Sequence, residues 1–80
     1  MFGDGIYEVG NGPGQIKPGK YHTNGPTNSM GMGYWARLKD TSGDMNSIIT
    51  NDIVKGPATI TIKSSDAAIK ISDLEFTAVK

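Results

Sequence analysis

The sequence predicts an all-β protein, a small antiparallel β-sandwich or partly open barrel of about seven short strands. Three observations lead to this prediction. Apolar and polar residues alternate with a period of two along much of the chain, and glycine, proline, asparagine and aspartate interrupt the alternation at short intervals. No stretch keeps a helical period for more than about one turn. The chain has 80 residues, which is enough for one hydrophobic core, so residues 1–80 are expected to form a single domain.

The first candidate strands are separated by glycine-rich turns. Residues 5–9 end at residues 10–14, where glycines permit positive φ angles and a proline lacks the N–H donor. Residues 15–17 and 20–23 flank Pro18-Gly19, a pair suited to the centre of a type II turn. The sequence therefore predicts strand, turn and strand in quick succession.

A long loop is predicted from Asn24 to Gly33, because glycine, proline and asparagine dominate this segment. Loops of this length in a compact domain are often functional. Met30 and Met32 lie within it, and flexible apolar side chains on a loop either cover the core or contact a partner. The sequence favours neither alternative for these two residues.

The next strand carries the only tryptophan of the chain. Trp35 and Arg37 alternate with Tyr34, Ala36 and Leu38, so the two sets lie on opposite faces of the strand. Either face can be the buried one. Core or half-buried packing is favoured for Trp35, because a small domain usually packs its single tryptophan.

The second half of the chain repeats the pattern of short strands and turns. A turn is predicted at residues 42–44, apolar segments at 48–50 and 53–54, and strands at 58–63, 67–71 and 74–79. The alternation is clearest in the strand that starts at Ala58, where Ile60 and Ile62 share one face with it.

Charge and hydropathy exclude several function classes. Eight basic and eight acidic residues give a formal net charge of zero and are interspersed along the chain. Nucleic-acid binding is not expected, because it normally requires a basic excess. Membrane insertion is not expected either, since every apolar run is far shorter than the roughly 20 residues of a spanning helix. The chain also has no cysteine and starts without the pattern of a secretion signal, so we expect a protein made in the cytosol.

The motifs that could carry chemistry all fail a simple test. Residues 10–14 have closely spaced glycines, but a strand follows them where a phosphate loop needs a helix. Asp40, Ser42 and Asp44 have the spacing of the first calcium ligands, yet the sixth position of that loop lacks the required glycine. His22 is the only histidine, and no serine occupies a nucleophile elbow. We therefore expect no catalytic residue, no metal site and no cofactor.

A binding surface is the remaining interpretation. An exposed tryptophan beside a cation and a tyrosine can stack on a sugar ring or anchor a protein. The candidate partner-binding residues are Tyr21, Met30, Met32, Trp35 and Arg37.

Several motifs resemble a small domain that recurs in secreted proteins and lipoproteins of actinobacteria and in their phages. The similarity covers residues 5–66, and its most specific part is the Tyr-Trp-Ala-Arg-Leu run at 34–38. The resemblance implies a stable extracellular or virion-surface β domain without catalytic residues. It also implies a cysteine before the tyrosine and another near the C-terminal end, where this chain has Gly33 and residues 74–79.

These features predict a non-enzymatic structural protein of a phage virion, assembled in the host cytoplasm. Most concretely it would be a capsid decoration protein, or a tail-associated one, that contacts a major capsid or tail protein and copies of itself. Small domains without disulfides usually gain stability in this way. The alternative is an extracellular or cell-surface module that binds envelope glycan or protein.

Overall fold

The computed structural model describes residues 1–41 and 45–79. Within these residues seven strands form two antiparallel sheets that do not close into a barrel, which confirms the all-β prediction. The predicted turn at 42–44, with Ser42 and Asp44 of the calcium-like spacing, lies outside the described residues. The elements are β1 Gly5–Glu8, β2 Gly19–Thr23, β3 Gly33–Leu38, a 3-10 helix Met45–Ser47, β4 Ile48–Val54, β5 Ala58–Ile62, β6 Ala68–Ser72 and β7 Thr77–Ala78.

The sheets are built from strands that are distant in sequence. One sheet has the strand order β1-β6-β3-β4 and the other has the order β5-β2-β7. Because β5 and β6 follow each other in the chain but belong to different sheets, residues 63–67 cross between them.

The core lies between the two sheets. Ile60 and Ile62 of β5 are buried, as the alternation predicts, and they belong to the same apolar cluster as Ile69 and Ile71 of β6. The residues of this cluster that have no exposed surface are Ile16, Ile69, Leu74 and Phe76. Trp35 is partly buried and packs against the cluster, in line with the packing expected for a single tryptophan.

Residues 15–17 do not form the predicted strand. The carboxamide of Gln15 accepts the Gly12 N–H at 2.8 Å, which closes the preceding turn. The chain then passes the end of β1, where Ile16 forms a single parallel bridge with Val9. One buried residue at this position fills the core without a second strand.

Two further segments differ from the prediction in length. Asn51 and Asp52 lie inside β4 and project to opposite sides of it. Both are exposed, because β4 is an edge strand, and the strand therefore continues through them. Of residues 74–79, only Thr77 and Ala78 form a strand. Phe76 instead makes an antiparallel bridge with Phe2 near the N-terminus.

Gly33 starts β3 in close contact with Leu74. A Cβ added to Gly33 would lie 2.5 Å from both Cγ and Cδ2 of Leu74, and 2.9 Å from the Asp73 carbonyl oxygen. No side chain fits there without movement of the buried Leu74. Where the resemblance implied a cysteine, this chain therefore has a glycine that makes room for a core leucine.

This packing predicts the outcome of a double-mutant cycle. Gly33→Ala should lower the free energy of unfolding by about 1–3 kcal/mol through overpacking, and Leu74→Ala by about 2–5 kcal/mol through cavity formation. The double variant should lose less than the sum, because the alanine Cβ at position 33 occupies part of the cavity. Urea denaturation of the four proteins measures the coupling. Strict additivity would contradict the contact.

Candidate partner-binding surface

One side of the four-stranded sheet faces away from the core. Ile6 lies opposite Lys70, and Lys70 lies opposite Ala36, so these side chains project from the same side. Tyr34 is two residues before Ala36 and lies opposite Ile53, which places both on that side as well. We call this side the outer face and define it by Ile6, Tyr34, Asn51, Ile53 and Lys70.

The outer face exposes apolar side chains. Ile6 is 53% exposed and Ile53 is 57% exposed. Met32, in the adjoining loop, is 45% exposed and lines a shallow depression together with Tyr34 and Ile53. Tyr34, Ile53 and Met32 thus form an apolar patch, and Ile6 lies farther across the sheet, beyond Lys70. The solvated side of an antiparallel sheet is normally polar, so exposed apolar side chains here indicate an interaction site.

Tyr34 is held in place at the centre of this patch. Its hydroxyl oxygen accepts a hydrogen bond from Nδ2 of Asn51 at 3.1 Å, and Nζ of Lys70 lies 6.0 Å from the centre of its ring. The ring also packs against a second small cluster formed by Ala36, Leu38 and Ala68. A fixed tyrosine loses little side-chain entropy on binding, which suits it to anchor a partner.

The loop before β3 is ordered by its own side chains. Asn28 donates from Nδ2 to the Met32 carbonyl oxygen at 2.9 Å, and its Oδ1 accepts the Gly31 N–H at 3.0 Å. Gly31 has a φ of 74°, which a glycine adopts without strain. Met30 is 77% exposed. Both loop methionines are therefore exposed, and neither covers the core.

The structure separates the other predicted binding residues. Tyr21 is only 4% exposed, and its hydroxyl donates to the Lys17 carbonyl oxygen at 2.6 Å. Burial raises the pKa of Tyr21, and the hydrogen bond to Lys17 partly offsets this rise. Tyr21 belongs to the three-stranded sheet, whereas Trp35 and Arg37 project from the inner side of the other sheet. The ring of Tyr21 is thus not available to stack on a sugar beside Trp35.

Arg37 is engaged in an ion pair inside the protein. Its Nε and Nη2 donate to the carboxylate of Asp66 at 2.6 and 3.0 Å, and the Asp66 side chain is 1% exposed. Asp66 also accepts the Lys63 N–H at 2.9 Å. Burial alone would raise the pKa of Asp66, but the hydrogen bonds and charges of Arg37 and Lys63 together lower it.

The outward side of the three-stranded sheet has a different character. Thr59 and Thr77 lie on either side of His22, and Oγ1 of Thr59 is 3.1 Å from Nδ1 of His22. Lys20 lies opposite Thr61. This face is mainly polar, as is typical of the solvated side of a sheet.

None of the five residues that define the outer face was among the partner-binding candidates predicted from the sequence. Period-two alternation groups Tyr34 with Ala36 and Leu38, but only the pairing of β3 with β6 reveals which group faces the core. Ile6, Ile53 and Lys70 come from three different strands. Asn51 is recognisable only through its hydrogen bond to Tyr34.

The described residues contain no group of three or more metal-binding side chains. Among them, no helix has the length and apolar character needed to cross a membrane. The sequence profile of the family described as Rv1352-like extracellular domain matches residues 1–74. No curated protein and no solved structure gives a significant match.

The Arg37–Asp66 pair predicts a specific acid sensitivity. The pKa of Asp66 is lower in the folded chain than the value of about 3.9 expected for an unfolded one, so the folded state binds this proton less readily. The pair therefore stabilises the folded state fully at pH values above the unfolded pKa of about 3.9. This contribution is lost as the pH falls below that value and through the lower pKa of Asp66 in the folded chain.

Asp66→Asn should remove this contribution and lower the free energy of unfolding at pH 7 by about 3–5 kcal/mol, because it leaves the Arg37 guanidinium without a negatively charged partner. Thermal unfolding between pH 2 and pH 7 measures both effects. The matched control Asp4→Asn changes an exposed aspartate, and its free energy of unfolding should still fall in acid as that of the unmodified chain does. An unchanged pH profile in Asp66→Asn would contradict the assignment.

Proposed function

Because the chain belongs to the family of Rv1352-like extracellular domains, we propose that it is a non-enzymatic extracellular module that binds a protein partner through its outer face. The observation that carries this proposal is the exposed apolar patch around a fixed tyrosine. Ile6, Ile53 and Met32 supply the apolar area, and Tyr34 supplies an anchor with a polar end.

A protein partner fits this surface better than a glycan does. Sugar binding of the kind predicted from the sequence needs an aromatic ring with a free face. Lys70 lies over the ring of Tyr34, Trp35 packs against the core and Tyr21 is buried. Aliphatic side chains such as Ile6 and Ile53 instead match the apolar centre of a protein interface.

The virion role predicted from the sequence has less support. The family description places such domains outside the cell, which favours the secreted module over a capsid or tail protein. The absence of cysteine suggested assembly in the cytosol. At position 33, however, the close packing of Gly33 against Leu74 leaves no room for a cysteine side chain. That packing is compatible with either location, so it does not favour the virion.

The proposal is tested by presenting the immobilised chain to envelope and secreted proteins of the source organism. Ile53→Glu places a charge in the middle of the patch at a position that is more than half exposed, so the fold should persist. We expect the variant to lose a protein that the unmodified chain retains, with affinity reduced by about tenfold or more.

Thr77→Glu is the matched control, since it places the same charge on the exposed polar face of the other sheet. It should retain the partner. Equal retention by both variants would contradict the outer face as the binding surface. Saturable binding of purified envelope polysaccharide, unaffected by Ile53→Glu, would favour the glycan alternative.

A further inference from the structure

Within the described residues the two sheets end at the strands β1, β4, β5 and β7, and these edges differ in how well they are protected against pairing with another chain. In β4 the Asp52 carboxylate accepts the N–H of its neighbour Ile53 at 2.8 Å, and the pairing with β3 shifts register between Arg37 and Leu38. Both features discourage a further strand. β7 has two residues and β1 has four, so neither offers a long edge.

The edge of β5 has no such protection. Its five residues contain no charge and no proline, and they pair with β2 without a register shift. In the part of the chain that the structure describes, β2 is the only strand paired with β5. Backbone N–H and C=O groups on the other side of β5 are therefore free to pair with an extended strand.

The sequence of β5 is nearly symmetric about its central residue. Thr59 and Thr61 flank Ile60 and point outward, while Ala58 and Ile62 follow at equal distances and point inward. An antiparallel partner centred on Ile60 with the same sequence would match polar with polar and apolar with apolar side chains. Threonine pairs facing each other across antiparallel strands are favourable.

We propose that two copies of the chain associate by antiparallel pairing of their β5 strands about Ile60. The two three-stranded sheets then form one continuous sheet with twofold symmetry. In this register Lys63 lies opposite Pro57 and Lys55 lies opposite Ser65 of the second copy, so no like charges meet directly. The association is independent of the outer face, which belongs to the other sheet.

The register makes the test a charge-pairing experiment on the full chain. Thr59→Lys/Thr61→Lys places two lysines opposite two lysines of the second copy, whereas Thr59→Lys/Thr61→Glu places each lysine opposite a glutamate. Both double variants change the same two exposed positions. Sedimentation equilibrium from micromolar to about 1 mM chain should show a dimer for the unmodified protein.

We expect the double-lysine variant to associate at least about tenfold more weakly, and the lysine-glutamate variant to dimerise as well as the unmodified chain or better. Circular dichroism establishes that each variant is folded. Hydrogen exchange of the β5 amides should slow with rising protein concentration in the unmodified chain and in the lysine-glutamate variant. It should not slow in the double-lysine variant.

A monomer throughout the concentration range, or equal association of the two double variants, would overturn the proposal. Neither result would contradict the proposed outer-face binding of a protein partner, which Ile53→Glu tests separately. Conversely, Ile53→Glu should leave the dimer seen by sedimentation unchanged. Failure of one proposal is therefore distinguishable from failure of the other.

Discussion

The ion pair between Arg37 and Asp66 fixes the point where the chain crosses from one sheet to the other. Asp66 lies in the crossover between β5 and β6, and its buried carboxylate is held by two guanidinium hydrogen bonds and by the Lys63 N–H. Directly after it, the Ala67 N–H donates to the Leu38 carbonyl oxygen. In a cysteine-free chain of this size, a buried pair that spans 29 positions takes the place where small domains often use a disulfide.

This constraint determines which side of β3 faces the core. With Arg37 directed toward Asp66, the alternation of the strand also directs Trp35 inward and leaves Tyr34 on the outside. The inner position of Trp35 leaves the most obvious binding residue packed against the core and only partly exposed. The partner-binding role proposed for Tyr34 therefore follows from the same contact that stabilises the crossover.

The sequence was sufficient for the fold class, because alternation and turn residues are local signals. The inward direction of Ile60 and Ile62 follows from that alternation. The burial of Ile16 and the pairing of Arg37 with Asp66 depend on contacts between distant segments, which no local pattern records. The binding surface also depends on contacts between distant segments. Met32 was a candidate because of its glycine-rich loop, but its neighbour Ile53 comes from a different strand.

The two proposed surfaces are compatible because they lie on different sheets. In an antiparallel pair of β5 strands whose outward threonines stay on one side, the twofold axis is perpendicular to the continuous sheet. Both copies then have the same orientation relative to that axis. The outer faces around Tyr34 belong to the sheets stacked on the opposite side, so they point in one common direction. A dimer of this kind would present two copies of the apolar patch to one partner surface, and the second contact would form at a high effective concentration. Weak association through a short edge can thus strengthen binding by an outer face that is small on its own.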